Sequence, residues 1–144
     1  MKRYEYTPDP MLSLEINEVF VFGANTLGHH GGGSANAAHK FYGAMWGEIH
    51  RTGRCYGLVT LNFPTGQPLT TMASPPSKIS QIELEKEFEL FFKATLCEPE
   101  KIFYLTKVGL GIAGWKLENV KEAFWKHYDT ARHLNVIIPV EFEL

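Results

Sequence analysis

The sequence predicts one α/β domain, a three-layer α/β/α sandwich around a mainly parallel or mixed sheet. Three observations carry that expectation. Apolar strand-like runs alternate with helical patterns three times and end on a further strand, the order of a parallel sheet joined by crossover helices. The first run, Val19-Phe20-Val21-Phe22, is continuously apolar, as a strand covered on both faces must be. The first and third strands each lead to a glycine-rich turn. The 144 residues suit a single domain, 1–144, able to bury a core without disulfide or metal staples.

Each element has its own justification. Residues 1–17 are weakly patterned, and Pro8 and Pro10 exclude a regular helix there. The first strand follows Glu18 and stops at Gly23. A helix is expected from Ser34, its N-cap, with Ala35, Ala38, Phe41, Tyr42 and Met45 at helical spacing and Gly47 as the stop. Tyr56–Leu61 reads as the second strand. Residues 62–78 read as a long loop with four prolines (Pro64, Pro68, Pro75, Pro76), and loops of that length are often functional. Ser80 and Glu83 form a capping box ahead of a helix with Ile82, Phe88, Phe91, Phe92 and Leu96 on its apolar stripe. Lys101–Val108 is the third strand. A helix from Leu117 to about Arg132, burying Val120, Ala123, Phe124 and Ala131, precedes a last strand at Asn135–Phe142. In such a sheet ligands gather at the carboxyl ends of the strands, so both glycine turns and the proline loop should share one rim.

Composition narrows the function classes. Apolar residues at 44% and charged residues at 21% exclude a disordered chain. No apolar run is long enough for a membrane span, and no apolar segment follows the basic start, so no membrane partner or signal peptide is expected. A net charge of −2 excludes the broad basic field of a sequence-independent nucleic-acid binder, while leaving room for a pocket holding one phosphorylated ligand. Cys55 and Cys97 fit no metal or redox spacing and read as buried or half-buried thiols in a reducing compartment, so the cytoplasm is the expected location.

The segment from Phe22 to Ser34 carries the most chemistry. Gly31-Gly32-Gly33 precede a helix, so the backbone can approach a ligand where the helix offers free N–H groups and partial positive charge. These features suit a diphosphate. Asn25, just past a strand, has an amide able to orient a ribose hydroxyl. No Lys-Ser/Thr follows the glycines, so this is not a Walker A loop. The second turn, Gly109-Leu110-Gly111-Ile112-Ala113-Gly114, does match G-x-G-x-x-G, with Glu141 as a distant acidic partner; a dinucleotide-binding enzyme is therefore the alternative. Trp115 either stacks on a ligand ring or packs. His29 and His30 are the candidates for acid–base chemistry. With His39 they lack converging metal ligands, so no metal is expected. Lys107 reads as a solvated charge or a phosphate contact, and Glu118 as a helix first-turn acid.

Together these segments resemble a macro domain. The resemblance rests on Phe22-Gly23-Ala24-Asn25, on Gly31-Gly32-Gly33 leading into a helix, and on Val108-Gly109-Leu110-Gly111-Ile112-Ala113-Gly114-Trp115. Asn62-Phe63-Pro64-Thr65-Gly66 is similar to a segment of the DNA ADP-ribosyl glycohydrolase branch, and the likeness spans residues 18–142. The chain also resembles small macro-like proteins of bacteria and phages. The resemblance implies a pocket for ADP-ribose or a related NAD-derived nucleotide. Gly31, Gly32, Gly33 and Ser34 would lie on one side of the diphosphate, Gly109, Gly111, Ile112, Ala113 and Gly114 on the other, with Asn25 at the distal ribose and Thr65 and Trp115 nearby. It implies no separate cofactor. ADP-ribosylated protein or nucleic acid would be the larger partner. The family's usual catalytic groups do not carry over: Ala35, Ala113 and Gly66 stand where branches of the family place Asp, Asp and Lys. Hydrolysis of an ADP-ribosyl linkage would need other residues, and a non-enzymatic interaction protein is the remaining alternative.

Overall fold

The computed structural model describes residues 3–11, 13–63, 77–111 and 113–144. In chain order its elements are β1 (Glu18–Asn25), α1 (Gly33–Phe41), β2 (His50–Thr52), β3 (Cys55–Asn62), β4 (Ser77–Lys78), α2 (Gln81–Cys97), β5 (Ile102–Leu105), α3 (Leu117–His127) and β6 (Val136–Ile137), followed by a 3₁₀ turn at Val140–Phe142. The fold is mixed α/β. Among the described residues the sheet has six strands in the order β2-β3-β1-β5-β6, with β4 also on β3. The centre is parallel: β1 pairs β3 on one side and β5 on the other, and β5 pairs β6. The edge at β3 is antiparallel, through β2 and β4.

Alternation along β1 explains its unbroken apolar run. Val19 and Val21 pack with Phe88, Phe91 and Phe92 of α2 and Phe124 of α3 on one face. Phe20, Phe22 and Ala24 pack with Ala35 and Ala38 of α1 on the other. Each fully buried Phe contributes about 1.5–3 kcal/mol of apolar transfer free energy, so the α2/α3 face carries most of the core. The capping box expected at Ser80 is present: its hydroxyl accepts from the Glu83 N–H (3.1 Å) and the Glu83 carboxylate accepts from the Ser80 N–H (2.9 Å).

Several boundaries differ from expectation. Helix α1 stops at Phe41 because Gly43 takes φ +81, a conformation incompatible with continuing the helix. Phe41 and Met45 are exposed, while Tyr42 is buried and its hydroxyl donates to Met11 O (3.0 Å). The N-cap is Gly32, not Ser34, and no side chain caps the helix. Ile82 and Leu96 face solvent rather than the α2 stripe, and Cys97 is exposed. Cys55 is buried, and burial pushes its thiol up to about 12. Helix α3 ends at His127, leaving Ala131 exposed in a turn. The last strand is only Val136–Ile137, because Pro139 leads into the 3₁₀ turn. The four prolines of the long loop, with Gly66, lie outside the described residues.

The N-terminal segment, weakly patterned in sequence, is tied down by tertiary contacts. The Thr7 N–H donates to Ile138 O (2.8 Å) and its hydroxyl to Ile137 O (3.2 Å), laying the segment beside β6. Met11 and Leu14 cover Ile102, Tyr104 and Ile137 and also pack against the cluster under α1, on the same face of the sheet. Arg3 reaches the buried Glu18 carboxylate (2.5 Å), which also accepts from the Glu15 N–H (2.7 Å) and the Tyr104 hydroxyl (2.8 Å). Burial alone would raise the Glu18 carboxyl, but these donors hold it below its ordinary value.

Candidate functional site: a cleft at the carboxyl ends of the parallel strands

Because β1, β3 and β5 run parallel, their carboxyl ends lie on one edge of the sheet, and the segments leaving them surround a single cleft. Its volume is about 1060 Å³, at the upper end of the usual size of small-molecule sites (about 300–1,000 Å³). One wall is Asn25, His29 and Gly31–Ala35, from the first turn and the start of α1. Another wall is Lys107–Gly111 with Ala113. Thr60, Leu61 and Phe63 from the end of β3 form a third side, and Thr7–Met11 with Glu141 a fourth.

The first turn is organised by Asn25. Its Oδ1 accepts from the Leu27 N–H (3.2 Å) and the His29 N–H (3.0 Å), and its Nδ2 donates to His29 O (2.6 Å). A primary amide offers two donors and two acceptor positions, so this side chain has one N–H left for a ligand. The effect is to fix the backbone of residues 25–29 and to aim His29. Beyond it, the chain reaches α1 with no side-chain cap and no acidic residue in the first turn. The first-turn N–H groups lack intrahelical partners and carry the positive end of the helix dipole into the cleft wall.

The two adjacent histidines separate. His29 lines the cleft, with its ring stacked on Trp46 (centroids 5.0 Å apart, planes at 17°). His30 is buried behind it, packed edge-on to Phe22, and its Nε2–H donates to Met45 O (2.8 Å). His39 is likewise tied to backbone through Nδ1 and Ala44 O (2.8 Å). Of the two acid–base candidates, only His29 reaches the cleft. Among the described residues no group of three or more His, Cys, Asp or Glu side chains is placed to hold a metal ion.

The second turn is built on Trp115. That ring is buried, its Nε1–H donates to Thr60 O (2.9 Å), and its backbone N–H donates to Gly109 O (2.8 Å). Trp115 therefore packs beneath the turn, and neither it nor Gly114 is among the residues that line the cleft. Gly109, at φ +79, lies so close that an added β-carbon would meet Trp115 Cδ1 at 2.9 Å. The G-x-G-x-x-G spacing does not open a helix directly, since α3 begins at Leu117 with Lys116 as its N-cap. Thr65 and Ile112 lie outside the described residues.

Charge within the cleft is unevenly placed. Lys107 pairs with Asp9 (2.7 Å) and Glu141 (3.6 Å), and its hydrogen bond to Asp9 raises its pKa. Two carboxylates around one ammonium leave that end negative, whereas the glycine turns carry backbone donors and no carboxylate. Lys107 is thus a solvated charge, as one of its two expected readings had it, with its ammonium occupied by carboxylates rather than free for a phosphate. Glu141, singled out in sequence as an acidic partner of the second turn, does line the cleft, whereas sequence reading did not find Thr7–Met11, Thr60 or Thr106 as wall residues. For Thr60 and Thr106 the signal was available, as polar residues closing apolar strands. The N-terminal segment reaches the cleft through contacts with β6 that no local pattern announces. Compared with family models, curated proteins and solved structures, the chain matches none.

Proposed function

We propose that the cleft binds ADP-ribose or a related NAD-derived nucleotide, with the diphosphate between the two glycine turns. The observation that carries this is that the uncapped start of α1 and the backbone of Gly109–Gly111 line one cleft. Backbone N–H groups and a helix dipole complement an anion without needing a basic side chain. In this reading Gly31, Gly32, Gly33 and Ser34 donate from one side, and Gly109, Gly111 and Ala113 close the other. The last free N–H of Asn25 meets a ribose hydroxyl. The resemblance to macro domains, and helices on both faces of the sheet, support a macro-like three-layer arrangement. Binding is better supported than turnover, because Ala35 and Ala113 stand where branches of the resembled family place their acids.

Calorimetric titration with ADP-ribose, NAD, ADP and AMP tests the reading. ADP-ribose should bind at least roughly tenfold more tightly than AMP, because AMP lacks the diphosphate that the two turns embrace. Equal affinity for AMP, or no binding of any of the four, would contradict it.

A further inference from the structure

His29 has features that the binding reading alone does not use. Its Nδ1 is buried and has no hydrogen-bond partner among the described residues. The ring is held face-on by Trp46, edge-on by Phe63 (6.4 Å, 79°), and from behind by the Asn25 bonds to its backbone. The ring therefore has one enclosed nitrogen and one left to meet a ligand, Nε2.

We infer that His29 carries its proton on Nε2 and presents it to the cleft as a neutral hydrogen-bond donor for a phosphate or carboxylate oxygen, and that it does not act as a general base. The argument is about where a lone pair can be hidden. A neutral imidazole has one N–H and one lone pair. Burying an N–H without an acceptor forfeits a hydrogen bond that water would supply, and orphaned N–H groups are rarer in proteins than under-satisfied acceptors. Enclosure of Nδ1 without a partner therefore favours the lone pair there and the proton on Nε2. A general base would need the lone pair on Nε2, where the cleft is, and so would need the disfavoured tautomer. His30 provides an internal parallel. Its Nδ1 is also buried and has no partner among the described residues, and its Nε2 faces a carbonyl oxygen that can only accept. The two neighbours thus share a tautomer, one bonded to backbone and the other turned to the cleft.

This inference rests on the nucleotide reading for the identity of the ligand, but its first test does not. Long-range proton–nitrogen correlation spectra of histidine-labelled protein at about pH 8, above the ordinary histidine range, report the tautomer of each ring, with His29→Ala assigning the signals. The expected result is a protonated Nε2 and a bare Nδ1 at His29. A proton on Nδ1 would overturn the inference. The second test titrates ADP-ribose into His29→Ala and His29→Gln. Loss of roughly tenfold in affinity in the Ala variant, with partial rescue by the donor amide of Gln, is expected. Affinity unchanged in the Ala variant, or Gln no better than Ala, would overturn the donor role. Failure of the unaltered protein to bind ADP-ribose would instead overturn the nucleotide reading, and the spectra alone would then decide the tautomer.

Discussion

A β-carbon added at Gly31 or at Gly111 meets nothing within 4 Å, whereas one added at Gly109 lands 2.9 Å from Trp115 Cδ1 and 3.4 Å from Thr60 Cγ2. Gly109 also sits at φ +79, which a side chain rarely adopts. The two turns read alike in sequence, yet their glycines answer to different demands. Gly109 is fixed by the fold, through a tryptophan wedged under the second turn. Gly31 and Gly111 are under no such constraint, and both line the cleft. Under the proposed binding reading, an open position on a cleft wall is where absence of a side chain would serve a ligand, so these two glycines would separate binding from folding in a way that Gly109 cannot.

The sharpest way to break the comparison is by alanine at each position. Gly109→Ala combines a left-handed backbone with overpacking against Trp115 and should cost about 2–4 kcal/mol in denaturant unfolding. Gly31→Ala and Gly111→Ala should stay within about 0.5 kcal/mol of the parent. Equal losses at all three would remove the distinction. Next in size, Trp115→Phe keeps most of the packing but leaves Thr60 O without its donor, and should cost about 1–3 kcal/mol by the same measurement. Lys107→Met tests the part of the cleft where Asp9 and Glu141 meet the second turn. Its ion pair with Asp9 is solvent-exposed and should contribute at most about 1 kcal/mol, a difference that shrinks further in high salt.

The smallest effect is a pH dependence away from the cleft. His133 stacks on Phe92 (4.4 Å) and accepts from the Asp129 N–H through Nδ1 (2.9 Å). Burial, aided by Arg132 and opposed by Asp129, lowers its pKa below the ordinary 6.5. The unfolded chain therefore takes up a proton before the folded one does. The stabilisation is complete above that ordinary value and is lost as pH falls through it towards the lowered one. Unfolding midpoints at about pH 7.5 and about pH 5.5, either side of the ordinary histidine value, should converge when the parent is compared with His133→Gln. A gap that widens at the lower pH would reverse the sign argued here.

The legibility of this molecule follows from which interactions are local. Val19–Phe22 declares β1 because a strand buried on both faces must be apolar throughout, and Ser80 with Glu83 declares the start of α2 because both partners of the box are in the sequence. The strands β2 and β4 are not legible: His50-Arg51-Thr52 and Ser77-Lys78 are polar, and they pair only because β3 offers an unpaired edge. Met45 fell at helical spacing by coincidence, since Gly43 had already turned the chain away. At the site, the glycines and Asn25 were visible as residues that do unusual backbone work. The division of labour between His29 and His30 was not, because it depends on Trp46 and Met45 O reaching the rings from beyond α1. Nor was the wall formed by Thr7–Met11, held by bonds to Ile137 and Ile138, about 130 residues away along the chain.

The central claim is that the two open glycines face each other across a diphosphate. Calorimetric titration of ADP-ribose into Gly31→Asp and Gly111→Asp, beside the unaltered protein, tests it most directly. Both variants should keep the parent's unfolding midpoint, because their side chains enter open space. Both should lose roughly a hundredfold or more in affinity, because each sets a carboxylate against the diphosphate. A folded Gly31→Asp protein that binds ADP-ribose as tightly as the parent would contradict the account.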